Sequence, residues 1–225
     1  MNKTLATIAL IATLTLFAAA QDSGVLPPSG KLPFCPLKTC LYYAGDFDST
    51  AHNANGVFNA NDTGQGIEGQ AWVGVKPPRE VTVTGSTFNQ FLTSGFIGTN
   101  PTPFQTQIGI TPGNAGQIVC NTSGTATIKR YGESDYGLIQ YSYTIKKLKQ
   151  PCKVQPGSEG ATYVNLLPTS GNGYGYLASA GKKNHRGWKN DYGDCYFNGS
   201  AFGANYTPLG SGCEYSIALT GADGK

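Results

Sequence analysis

Charge is scarce in this chain of 225 residues: 13% are Asp, Glu, Lys or Arg, against 39% hydrophobic. Helical bundles and coiled coils draw their solvent faces from Glu, Lys and Arg, so that class is excluded. Histidine is limited to His52 and His185, and no HExxH, GxSxG or CxxC occurs anywhere. Zinc-protease, α/β-hydrolase and zinc-ribbon chemistry therefore lack their residues. No long apolar run follows residue 20, so the remainder holds no expected transmembrane helix. The formal charge of +3 is too small for nucleic-acid binding by bulk charge. What is abundant is Gly (31), Pro (13), Tyr (13) and Phe (10). That aromatic content excludes a disordered chain, and Gly without a three-residue period excludes collagen. A loop-rich β protein remains.

The first twenty residues have the make-up of an export signal. Lys3 supplies the positive start, Leu5 to Phe17 the apolar run, and Ala18-Ala19-Ala20 the small residues of a cleavage site. Residues 1–20 are thus expected to be a signal peptide, and cleavage leaves a chain of formal charge +2 with no stable membrane insertion. The expected location is extracellular or periplasmic. Residues 21–40 are rich in Pro and small side chains and are expected to form an extended leader, with the folded domain over 41–225.

From Leu41 onward, short β-type runs alternate with Gly, Asn, Pro and Ser turns. The runs are Gln70–Val75, Glu80–Thr84, Thr106–Ile110, Thr125–Arg130, Gly137–Lys146, Thr162–Leu167, Tyr174–Ala178 and Tyr215–Thr220. The clearest places Ile139, Tyr141, Tyr143 and Ile145 on one face for a core, and Leu138, Gln140, Ser142 and Thr144 on the other for solvent. No stretch sustains helical periodicity. A single antiparallel β-sandwich, jelly-roll-like, is the expected fold. Six cysteines in an exported chain point to disulfides over a metal. Sequence proximity favours Cys35–Cys40, Cys120–Cys152 and Cys195–Cys213.

Three stretches carry a resemblance: Gly124 to Ile128, Tyr136 to Ile145, and Gly160 to Leu166. Asp46 and Asp48 with Asn53 to Gly56, Val81 to Gly85, and the closing Cys213 to Gly221 follow the same pattern. Together they resemble uncharacterised secreted β-sandwich proteins of bacteria. Gln140 stands where those proteins often have an acid, and Val164 where Trp is common. The resemblance implies fold and export, and it brings no activity. Many of those proteins end in an anchoring or sorting tail, so an end at Lys225 implies release.

Three places hold chemistry. Asp46, Asp48, Asn53, Asn55 and Asp62 supply clustered oxygens of the kind Ca²⁺ requires, although Ala51 and Asp62 fall where an EF-hand needs an acid and a Glu. The same residues also suit ordinary Asx turns. Lys182, Lys183, Arg186 and Lys189 surround Trp188, with Tyr192 beside them. That loop suits stacking on a sugar, an acidic polysaccharide or cell-surface glycan above all, or else Trp188 is tucked into the sandwich edge. Two carboxylate pairs, Glu133/Asp135 and Asp191/Asp194, lie close in sequence, which is no evidence of facing acids. A non-enzymatic carbohydrate-binding or surface-associated module is the expected function; a glycan-active hydrolase or lyase and a matrix protein are the alternatives.

Overall fold

A computed structural model describes residues 35–46, 56–58, 60–62, 67–93, 105–112, 118–133, 138–156, 162–168, 175–181, 184–188, 195–209 and 213–223. They form two antiparallel sheets packed as a β-sandwich. The first is organised along β5 (Val81–Thr93), the longest strand at 13 residues. One edge of β5 pairs with β15 (Ile217–Asp223) and then β12 (Gly175–Ala178). The other edge pairs with β10 (Cys152–Val154) and then β9 (Leu138–Ile145). β1 (Cys40–Tyr43), β2 (Gly56–Phe58) and β8 (Thr127–Glu133) extend this sheet beyond β15, β12 and β9. The second sheet runs β14 (Ala204–Pro208), β13 (Cys195–Gly199), β4 (Ile67–Val75), β11 (Thr162–Pro168), β6 (Gln105–Pro112) and β7 (Cys120–Thr125). β3 (Ala60–Asp62) pairs with the start of β4. Each of the eight runs expected from the sequence overlaps a strand, and the run Thr125–Arg130 is divided between β7 and β8 of different sheets.

The core lies between the sheets. Ala71, Val73 and Val75 of β4 face Val81, Val83, Phe88, Tyr143, Ile145, Ile217 and Leu219 of the other layer. Phe88 and Tyr143 are register partners on β5 and β9, and their rings stack at 4.9 Å and 6°. Such a pair adds about 0.5–1.5 kcal/mol to the burial of its area. Tyr141, Tyr143 and Ile145 are buried as their alternation requires. The opposite face of β9 differs from expectation: Ser142 is buried as well, between Asn89 of β5 and Lys129 of β8. β9 is an interior strand, with a neighbour along each edge.

β5 carries a bulge opposite β15. Its pairing passes from Val83↔Gly221 to Gly85↔Thr220, leaving Thr84 unmatched on β15. One extra residue reverses the alternation. Val81 and Val83 therefore share the core with Phe88, while Phe91 packs with Ala178 in a separate cluster. Beyond the bulge, polar side chains are buried with partners. Ser86 Oγ donates to Ala218 O at 3.0 Å, and Asn89 Nδ2 donates to Ser216 Oγ at 2.9 Å.

The chain changes sheets at buried Ala126, between β7 of the second sheet and β8 of the first. Disulfides tie the layers at two further points. Cys120–Cys152 joins β7 to β10, and Cys195–Cys213 joins β13 to the segment entering β15; their Cα atoms are each 5.9 Å apart. Cys35–Cys40, with Cα atoms 5.3 Å apart, closes a loop leading directly into β1. All three pairs follow the proximity expected from the sequence.

Close packing where β15 passes β5 yields a first prediction. A β-carbon at Gly221 would collide with the Thr82 carbonyl oxygen and lie 2.9 Å from Leu41 Cδ1. Backbone on one side cannot retreat as a flexible side chain can. Gly221→Ala is expected to lower unfolding free energy by about 1–3 kcal/mol in urea titrations.

Candidate functional site

The loop containing Trp188 is fastened onto β1. Tyr43 and Arg186 exchange backbone hydrogen bonds of 2.6 and 2.8 Å. Asp46 completes the clasp: its carboxylate accepts from the Tyr43 hydroxyl at 2.6 Å and from Asn184 Nδ2 at 2.7 Å. Asn184 holds φ at 60°, a left-handed geometry that Asn tolerates better than most residues. The Tyr43 phenol is pushed well above its ordinary range, by burial first and then by its bond to the Asp46 carboxylate.

Tyr42 is the centre of this corner. Its ring stacks on Trp188 at 6.5 Å and 19°, meets His185 edge-on at 5.8 Å, and its hydroxyl donates to buried Glu214 at 2.8 Å. A ring nitrogen of His185 lies 3.1 Å from the Ala44 carbonyl oxygen. Trp188 is half-buried against the core, and Arg186 is exposed. Of the expected ligand contacts, Lys182, Lys183 and Tyr192 lie outside the described residues, as does Lys189. Of the expected calcium ligands, Asp48, Asn53 and Asn55 also lie outside them, and Asp62 is described only as backbone of β3. The structure thus brings Asp46 and the Trp188 loop together, which sequence spacing gave no reason to expect. Among the described residues no group of three or more His, Cys, Asp and Glu side chains converges.

None of the carboxylates considered for catalysis has a described side chain. Asp135, Asp191 and Asp194 lie outside the described residues, and Glu133 is described only as backbone of β8. Glu214, which no motif singled out, is fully buried beside the Cys195–Cys213 bridge. It contributes to raising the phenol of neighbouring Tyr215 above its ordinary range, after burial as the first cause. Its carboxylate is closed off from solvent and accepts from the Tyr42 hydroxyl.

A different aromatic group forms on the outer face of the second sheet. Trp72 of β4 is buried there, apart from the main core, beneath half-buried Tyr196 of β13 and Tyr206 of β14. Tyr196 is the register partner of Trp72, and the Trp72 and Tyr206 rings are 5.8 Å apart, inclined by 52°. Tyr206 holds φ at 45°, an unusual backbone setting for an aromatic residue. Two residues along β13, Asn198 Nδ2 donates to Gln70 Oε1 of β4 at 3.5 Å. Two phenols and two amides therefore share one sheet face. In the sequence Tyr196 stands just beyond the basic loop and Trp72 inside the run Gln70–Val75, and neither position marks a binding face. The alternation Tyr196, Asn198 was the available signal, hidden in a Gly- and Asn-rich stretch.

Protein-family models, curated proteins and solved structures were compared with this chain, and none matches it.

Proposed function

We propose that the protein is an exported, non-enzymatic carbohydrate-binding β-sandwich whose sugar-contacting surface is the outer face of the second sheet. The observation that carries this reading is the pairing of half-exposed Tyr196 and Tyr206, braced by buried Trp72, with the amides of Gln70 and Asn198. Sugar C–H faces stack on aromatic rings, and amide groups offer donor and acceptor together to hydroxyls. A buried ring beneath the tyrosines limits their motion, so little conformational freedom is lost on binding. Export is supported by the signal-like start and by three disulfides, which persist in oxidising compartments. Among the described residues no helix is long and apolar enough to cross a membrane.

Glycan-array screening followed by calorimetry tests the reading. Tyr196→Ala and Tyr206→Ala are each expected to weaken binding of an array hit by about 1–3 kcal/mol, as aromatic anchors do, with the circular dichroism spectrum retained. Undiminished affinity in the double variant removes the proposal, and so does an array without a hit. Calcium enters only as a proposed brace for the stretch from Asp46 to Asp62. An EDTA arm of the same titration separates loss of that brace, seen as a lower Tm, from loss of the sugar face.

A further inference from the structure

Between β9 and β10 the chain runs Lys146-Lys147-Leu148-Lys149-Gln150 across the corner where β7 passes into β8. The crossing is held by its backbone. Leu148 N donates to Thr84 O and Lys149 N to Ser123 O, both at 2.8 Å, and Gln150 N donates to Thr122 Oγ1 at 3.2 Å. Leu148 is 1% exposed and anchors the segment, while the three lysines around it are exposed. Gly124 forms the close side of the corner. A β-carbon there would run into Ile145 Cγ2 and lie 2.8 Å from the Lys147 carbonyl oxygen. Between these walls lies a cleft of about 560 Å³, lined by Gly124, Thr125, Thr127 and the segment from Lys146 to Lys149.

Among the described residues no carboxylate lines this cleft. Lys153, further along the chain, is paired with Glu80 at 3.1 Å, whereas no ion pair engages Lys146, Lys147 or Lys149 among the described residues. Three ammonium groups thus sit on a fixed frame around a concave surface that also offers two threonine side chains. In a chain with so little charge, this concentration has a chemical meaning: it selects an anion with several acidic groups.

We propose that this cleft binds an acidic polysaccharide, a glycan carrying carboxylates or sulfates. Lysine is a point charge suited to either group, and threonine hydroxyls hydrogen-bond to sugar hydroxyls. Single-stranded nucleic acid fits less well, because among the described residues no aromatic ring lines the cleft for bases to stack on. A membrane surface also fits less well, because the one apolar residue in the segment, Leu148, is buried and offers no wedge for lipid. The proposal shares only its ligand class with the aromatic face and rests on different residues.

The test measures binding of the disulfide-intact protein to polygalacturonate, heparin, neutral dextran, oligothymidylate and phosphatidylserine vesicles at low salt. At least one acidic polysaccharide is expected to bind, and raising NaCl from about 50 to 300 mM should weaken it roughly tenfold or more. K146Q/K147Q/K149Q is expected to lose a further tenfold or more at low salt with an unchanged melting curve, since all three side chains are exposed. The corresponding triple arginine variant should keep binding, and the glutamine variant should keep any neutral-glycan binding at the aromatic face, which separates the two surfaces. Polygalacturonate and heparin distinguish carboxylate from sulfate preference. Three results overturn the proposal: neither acidic polysaccharide binds; the glutamine variant binds undiminished; or oligothymidylate or vesicles bind as tightly and lose that binding in the glutamine variant.

Discussion

Replacing Cys120 and Cys152 together by alanine is expected to lower unfolding free energy by about 4 kcal/mol. The bridge spans a sequence separation of 32 and joins a strand of each sheet, so its removal frees a large loop in the unfolded chain. Cys195–Cys213 also joins the sheets but spans 18, which places it at about 3 kcal/mol on the same loop-entropy scale. Cys35–Cys40 spans only 5, and about 2 kcal/mol follows. Cys152, Cys195 and Cys213 are buried, so alanine there also leaves unfilled core volume and widens the gap from Cys35–Cys40. Typical domains hold about 5–15 kcal/mol in total, so losing both cross-sheet bridges should leave little cooperative folding. Guanidinium titrations of the three double-alanine variants give the ranking. A larger loss from Cys35–Cys40 than from Cys120–Cys152 would contradict the placement of the bridges across the layers.

Much of this architecture was legible in the residues, and the part that was not has definite causes. Strands with two-residue alternation, such as the one from Leu138 to Ile145, announced themselves, and short sequence separation found the disulfides. β5 was readable only up to Thr84, because the bulge reverses its alternation and because Ser86, Asn89 and Gln90 are buried polar residues. Polarity signals exposure only when no partner waits inside, and Ser216 and Ala218 wait there. β13 and β14 passed as loops since their sequences, CYFNG and ANYTP, are rich in Asn, Gly and Pro. An edge strand such as β14 tolerates Pro208, which an interior strand would not. The same blindness concealed the tyrosine face. The basic loop around Trp188 drew notice through its density of charge, but nothing local revealed that Tyr42, far away in sequence, would stack on that ring. The lysines from 146 to 149 were equally visible as residues. Their meaning depends on the corner made by Gly124, which only the sheet crossing creates.

Above about pH 10, the ordinary tyrosine pKa, stability is expected to fall steeply and to carry the protein into unfolding. Tyr43, Tyr143 and Tyr215 all have phenols raised above that value, burial being the first cause in each. The second cause differs: a hydrogen bond to Asp46 for Tyr43, the proximity of Tyr141 for Tyr143, and the proximity of Glu214 for Tyr215. Below pH 10 each phenol keeps its proton in both the folded and the unfolded chain, so its contribution is fully present there. Above it the unfolded chain releases the proton and the folded chain does not, so the unfolded state gains. Linkage sets this loss at about 1.4 kcal/mol per pH unit for each tyrosine, or about 4 kcal/mol per unit for three. The loss continues until the folded phenols themselves ionise, which is well above the ordinary range. Absorbance at 295 nm and circular dichroism, followed together through an alkaline titration, check this. Tyr43, Tyr143 and Tyr215 should form phenolate only in step with loss of the β-sheet spectrum. Tyr143→Phe keeps the ring against Phe88 while removing the titrating group, so the loss above pH 10 should become shallower by about 1.4 kcal/mol per pH unit. Complete ionisation with the sheet spectrum intact would show that these hydroxyls reach water, and the packing described for β9 and the segment entering β15 would then be wrong.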